Sequence, residues 1–333
     1  MSAVKNSTGS AINEQHPRGV IAVVGPTASG KSTLGIKLAL QIGGEIINCD
    51  SVQVYSGIQI ATAKVPYQER EGIPHHLIDF VSPEINYTAG EWAREAATKI
   101  EEIERRGNVP ILVGGTGLYL RALRNPFFHS PPTDEQLRRR LNMLRERRGP
   151  EHLHRLLHRL DPKSAKELYP RDWPRVQRAI EVRLQTGSPM SDQKAKRPVA
   201  HDSTGSMRIF VLNPPRTELY ARINERTEQH FEAGLVEEVE SLIAQGVPKD
   251  SNALGAHGYR RVVEYLEGKH DLRSAIEQTK TDVRRYSKRQ LTWFRREAGV
   301  EWCGGFGEEM STQQAVLNAI EYPREIEKSS FSA

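Results

Sequence analysis

The sequence predicts an α/β fold, a core with a mainly parallel sheet flanked by helices, carrying a helical insertion domain. Three observations predict it. Short apolar, β-branched runs alternate with amphipathic stretches in the first part of the chain, as strand–helix–strand units require. One such run leads directly into a glycine-rich phosphate-binding pattern and then a helix. From residue 133 to about 185, strand signals vanish and Leu- and Arg-rich helical segments replace them.

Taken in order, Val20, Ile21, Ala22, Val23 and Val24 read as a buried strand that stops at Gly25. A helix is expected over residues 31–42, where Leu34, Ile36, Leu38, Ala39 and Ile42 are apolar, with Gly43 and Gly44 ending it. Residues 45–49 read as a second strand with Asp50 and Ser51 at its end, and residues 76–80 as a third. Residues 88–106 carry Ala89, Trp92, Ala96, Ile100 and Ile103 on one helical face. The apolar run 109–113 is again halted by glycines, in Gly114-Gly115-Thr116-Gly117. Helices are then expected over 135–148, 151–160 and 174–186, and a loop-like basic segment over 188–206. Residues 208–212 return as a strand, and the chain from 217 onward is helical, broken at Gly234, Gly246 and the 255–258 turn. The expected organisation is a disordered lead-in over 1–18, a core over 19–132 and 207–322, the insertion over 133–206 and a tail over 323–333.

Composition narrows the function classes. No run approaches the ~18–20 apolar residues of a membrane span, and the polar N-terminus lacks the apolar core of a secretory signal. Cys49 and Cys303 stand far apart without metal-ligand spacing, so a reducing cytoplasm is the expected location. The net charge is only +5, yet residues 131–200 hold 17 Lys/Arg against 9 Asp/Glu. A middle segment this basic suits a polyanionic partner, and a solvated helical surface is the competing explanation.

Gly25-Pro26-Thr27-Ala28-Ser29-Gly30-Lys31-Ser32 matches G-x-x-x-x-G-K-[ST] at every fixed position, between a strand and a helix. Glycines let backbone N–H groups turn toward phosphate oxygens, and the helix N-terminus favours their charge. Lys31 adds a cation, and the Ser32 hydroxyl can ligate a phosphate-bound Mg²⁺. Asp50 and Thr116 each follow an expected strand, and the carboxyl ends of parallel strands line the ligand crevice. For Asp50, a turn cap and a catalytic carboxylate are both open readings. No acidic residue follows the 109–113 run, which weakens an ATP-hydrolysis reading. His152, His154 and His158 include a helical i, i+4 pair, but no further ligand is near, and surface histidines are expected. Residues 284–290 are basic, with Trp293 and Phe294 following: a phosphate grip or an amphipathic helix.

Together these motifs resemble one family, the tRNA dimethylallyltransferases, or tRNA isopentenyltransferases. The resemblance is carried by the phosphate loop, Asp50-Ser51-Val52-Gln53-Val54-Tyr55, Thr62-Ala63-Lys64 and His75-His76-Leu77-Ile78-Asp79. It continues through Gly114-Gly115-Thr116-Gly117-Leu118-Tyr119, Arg178-Ala179-Ile180-Glu181-Val182 and Lys288-Arg289-Gln290-Leu291-Thr292-Trp293-Phe294. It implies transfer of a dimethylallyl group from dimethylallyl diphosphate to N6 of adenine 37, beside the anticodon, in tRNAs reading codons that start with U. It further implies Mg²⁺ as cofactor, Asp50 as general base, Thr116 as its partner in positioning the adenine, and a diphosphate held by residues 25–32 and Arg222. Implied tRNA contacts are Asp50, Ser51, Val52, Gln53, Thr116 and Arg138, then Pro174, Arg175, Val176, Gln177 and Arg178. The stretch Gly255, Ala256, His257, Gly258, Tyr259 and Arg260 completes the set. The anticodon stem-loop is the expected partner and a monomer the expected state. Two departures stand out: His257 replaces a smaller apolar residue, and the sequence after Trp302 lacks the ligands of the zinc finger some relatives append. The rivals are a small-molecule kinase, an enzyme alkylating free adenylate, and an RNA-binding module with a P-loop switch.

Overall fold

A computed structural model describes residues 19–128, 130–196, 204 and 207–321. The expected lead-in 1–18 and tail 323–333, and much of the basic segment toward 206, lie outside the described residues. The chain divides into two compact units, residues 1–123 with 201–333, and residues 124–200.

The larger unit is built on one six-stranded sheet. Its strands are β1 (Ile21–Val24), β2 (Gly44–Asn48), β3 (His75–His76), β4 (Val109–Gly114), β5 (Arg208–Asn213) and β6 (Val300–Gly304), in the order β3-β2-β4-β1-β5-β6. Every pairing between these strands is parallel. Central strands are apolar throughout because both faces are covered. Ile21, Val23, Ile111 and Phe210 pack with Leu34 and Leu38 of α1 (Lys31–Ile42) and Val316 of a C-terminal helix (Met310–Glu321). Ala22, Val24, Leu112 and Val211 pack on the other side with Trp92, Ile100 and Ile103 of α2 (Ala89–Arg105) and Leu120 of α3 (Gly117–Arg124). A capping box starts α2: Thr88 accepts from Glu91 N, and the Glu91 side chain accepts from Thr88 N.

Two strands differ from expectation. The third is only His75–His76, because Leu77 and Asp79 have positive φ (57° and 60°), which ends extended pairing. The edge strand β6 was not expected: Val-Glu-Trp-Cys-Gly is partly exposed and has no continuous apolar run.

At the amino ends of the strands, Glu45 is buried yet fully matched. It accepts from Arg106 Nε (3.0 Å) and Nη2 (2.7 Å) and from Asn108 Nδ2 (2.7 Å), and lies 2.7 Å from His76 Nε2. Burial pushes its carboxyl up, but these hydrogen bonds outweigh burial and hold it down at about 2. A folded value below the unfolded one (4.5) means the contribution is complete above pH 4.5 and is lost as pH falls toward 2. Thermal melts of Glu45→Gln should therefore lose part of the wild type's stability decline between those pH values, and be less stable near neutrality. A variant with an unchanged acid limb would remove this assignment.

The smaller unit is wholly helical: α4 (Glu135–Arg148), α5 (Pro150–Leu160), α6 (Pro162–Glu167), α7 (Trp173–Thr186) and α8 (Met190–Lys194). It has its own core of Leu141, Leu153, Leu157, Val176 and Ile180. It begins at Arg124 rather than at residue 133, and Phe128 packs against that core. The short α8 lies within the stretch expected to be loop.

Candidate active site

The carboxyl ends of the sheet open into a cleft of about 1300 Å³ whose described lining residues all belong to the larger unit. Its floor is the phosphate loop. Ala28 (φ 64°) and Gly30 (φ 81°) turn the loop in the left-handed region, and α1 begins at Lys31. Ser29 Oγ donates to Pro26 O (2.8 Å), fixing the loop from within. Lys31 Nζ donates to Pro26 O (2.5 Å); burial depresses the ammonium to about 8, against the opposing charges of Asp50 and Glu308. Ser32 also lines the cleft, and its hydroxyl has no partner among the described residues.

Asp50 follows β2 and is held both ways. Its N–H donates to Asn48 Oδ1 (3.1 Å), while its Oδ1 accepts from Val52 N (2.9 Å) and Gln53 N (3.4 Å). It is thus a turn cap through one oxygen, while Oδ2 has no hydrogen-bond partner among the described residues. Thr116 follows β4 and touches the same turn: its Oγ1 accepts from Ser51 N (3.0 Å) and donates to Ser51 Oγ (3.3 Å). The close approach demands glycine beside it, since a Cβ on Gly114 would lie 2.1 Å from Cys49 O. Gln53 also lines the cleft, with its amide tied to Thr62 O and Ala63 O.

Long helices bring residues that the sequence reading missed. Arg226, on α9 (Arg216–Glu232), donates from Nη2 to Thr27 Oγ1 (2.5 Å); burial lowers its pKa, and Asp50 opposes that shift. Gln290, on the long helix Leu272–Phe294, accepts from Thr27 N (2.9 Å) and donates to Gly115 O (3.0 Å), tying the phosphate loop to the Thr116 turn. Its neighbour Phe294 is buried, as expected for the inward face. Arg222 lines the cleft, its guanidinium 3.7 Å over the Phe306 ring and Nη1 3.2 Å from Glu308 Oε2.

The other expected contacts divide sharply. Val52, Gly255, Ala256, His257 and Gly258 line the cleft, and the His257 ring lies 4.8 Å from that of Tyr286. Burial, then the Arg289 charge, pushes His257 down to about 4, so it is neutral at pH 7. Tyr259 instead is buried, its hydroxyl donating to Glu238 Oε1 (2.5 Å), and Arg260 pairs with Glu264 and Asp282. In the helical unit Val176 and Gln177 are buried, which leaves their side chains no free surface for RNA. Arg138 forms a two-pronged pair with the buried Glu181 (2.9 and 3.0 Å), and Arg178 joins it at 3.2 Å. Pro174 and Arg175 are exposed. So are Arg139, Arg140, Arg147 and Arg148 of α4, none with an ion-pair partner among the described residues. The His154 ring nitrogen lies 3.0 and 2.8 Å from the Ala165 and Leu168 carbonyls, a packing role. Among the described residues no three His, Cys, Asp or Glu side chains cluster to hold a metal.

The IPP transferase family model matches residues 53–297. The chain is 44% identical over 303 residues to a tRNA dimethylallyltransferase of Solibacter usitatus, covering 90% of this chain and 97% of that one. The chain belongs to the tRNA dimethylallyltransferase (IPP transferase) family. A Koribacter versatilis tRNA dimethylallyltransferase is 45% identical, over 90% of this chain and 97% of its own. A solved tRNA isopentenylpyrophosphate transferase of Bacillus halodurans matches with a TM-score of 0.66 at 36% identity, covering 91% of this chain and 97% of that one. A eukaryotic dimethylallyltransferase described as acting on tRNA gives 0.76 at 29% identity, covering 94% and 81%. The family match begins at residue 53, so the phosphate loop and Asp50 lie outside it and rest on their own geometry.

Proposed function

We propose that this chain transfers the dimethylallyl group of dimethylallyl diphosphate to N6 of adenine 37 in tRNAs reading codons that start with U. The observation that carries the proposal is one cleft holding a phosphate loop, two arginines, and a carboxylate with one oxygen unpartnered among the described residues. The loop N–H groups, Lys31, Arg226 and Arg222 take the charge that grows on the diphosphate as the C1–O bond breaks. The adenine amine, once its base leaves the stack, attacks C1, and its proton passes to Asp50 Oδ2. Thr116 fixes the Ser51 turn beside Asp50, while His257 and Tyr286 offer ring faces to the base. Exposed arginines of α4 and Arg175 bind phosphates of the anticodon stem.

A divalent cation fits this donor set: a protein hydroxyl, Ser32, with no three-ligand cluster among the described residues, suits Mg²⁺, which keeps waters and takes phosphate oxygens. Bound there, it would neutralise the leaving diphosphate. No helix among the described residues is long and apolar enough to cross a membrane. A cytoplasmic monomer is the form we propose. Incubating the protein with labelled dimethylallyl diphosphate, Mg²⁺ and bulk tRNA should give N6-dimethylallyladenosine on digestion. Label entering free adenylate, or phosphoryl transfer from ATP with none to tRNA, would replace this reading.

A further inference from the structure

The loop after β6 brings a carboxylate to the phosphate-binding turn. Gly307 N donates to Ser29 O (2.9 Å), which moors the loop directly on the phosphate loop. Gln313 Nε2 donates to the carbonyls of Gly307 (3.0 Å) and Glu308 (3.3 Å), and Phe306 N donates to Glu309 Oε1 (3.0 Å). The backbone is thus fixed, and Phe306 is buried. The Glu308 side chain is not fixed in the same way. It is 44% exposed and bonds Arg222, itself 46% exposed, at 3.2 Å. A Cβ on Gly30 would lie 2.3 Å from Glu308 Oε2, so the carboxylate rests against the turn whose N–H groups face phosphate.

A carboxylate and a diphosphate side by side at this turn repel each other, and both call on Arg222. We propose that Glu308 is a surrogate anion: it holds Arg222 at the mouth of the phosphate loop and is displaced when the donor's diphosphate enters. Arg222 then changes anions without leaving its place, because its stack on Phe306 (3.7 Å) does not depend on Glu308. Glu308 therefore sets donor affinity and touches no reacting atom. This inference rests on the phosphate loop being the diphosphate site, as proposed above.

The test is calorimetric binding of inorganic pyrophosphate, with and without Mg²⁺, to wild type and Glu308→Gln, alongside steady-state kinetics. Glutamine keeps the length of the side chain and removes its charge. The variant should bind pyrophosphate about three- to tenfold more tightly, since half-exposed charges interact modestly. KM for dimethylallyl diphosphate should fall in step, with kcat unchanged, and the affinity gain should shrink at high salt. An unchanged Kd would overturn the inference. So would weaker binding seen only with Mg²⁺, which would make Glu308 a metal ligand. Wild type that binds no pyrophosphate would instead overturn the site reading beneath it. Circular dichroism of Glu308→Gln should match wild type, because none of the loop's moorings uses the Glu308 side chain.

Discussion

Replacing Asp50 by Asn should lower kcat for prenyl transfer by about 10²- to 10⁴-fold, the usual worth of a positioned general base. The choice of Asn follows from the geometry. Asp50 Oδ1 accepts from Val52 N and Gln53 N, and an Asn carbonyl oxygen can accept the same two bonds. Only Oδ2, the oxygen with no hydrogen-bond partner among the described residues, changes into an NH₂ that cannot take a proton. Alanine would remove the cap as well, at about 1 kcal/mol, and confuse folding with chemistry. Filter binding or calorimetry should show that Asp50→Asn still binds tRNA and pyrophosphate. Activity within about tenfold of wild type would mean that Asp50 is a turn cap and nothing more.

What the sequence discloses and what it hides follow from how each residue is placed. The phosphate loop is legible because one continuous segment builds it, so spacing alone fixes its shape. Asp50 and Thr116 are legible at one remove: each ends a strand, and parallel strands align their carboxyl ends. Their shared turn, with Thr116 Oγ1 on Ser51, needs the sheet order β2-β4, which no local pattern gives. Arg226, Gln290, Tyr286 and Glu308 were not placed in the cleft because they reach it from helices and a loop far along the chain. Gln290 is an instructive case, sitting within a run read for its positive charge, while its neutral amide joins two loops.

Arg138 and Arg178 are a different case. Both belong to a basic segment, so both invite an RNA role, yet Glu181 takes them up. It is fully buried on α7, and an unpaired carboxylate there would be prohibitively costly, so two guanidiniums and Gln177 surround it. Sequence counts charges; only packing shows which remain free. Arg139, Arg140, Arg147 and Arg148 remain exposed, with no ion-pair partner among the described residues, so the excess of positive charge in this unit survives with different bearers.

The second large effect is expected at Lys31. Lys31→Ala should weaken pyrophosphate binding and reduce kcat/KM for the prenyl donor by about 10²- to 10³-fold, as loss of one preorganised charge stabiliser does. Folding should not suffer from the lost charge, since burial already disfavours the ammonium and depresses it from 10.5 to about 8. That depression predicts a pH profile. The diphosphate is attracted by the protonated form, so donor affinity is full below pH 8 and declines as pH rises through 8. Binding brings negative charge to Lys31 and raises its pKa, so the complex takes up protons in the alkaline range. Calorimetry in buffers of different ionisation enthalpy measures that uptake directly. Lys31→Ala should abolish both the uptake and the alkaline decline. If the decline persisted in the variant, the titrating group would be another one, with Lys31 contributing only a pH-independent share of the grip.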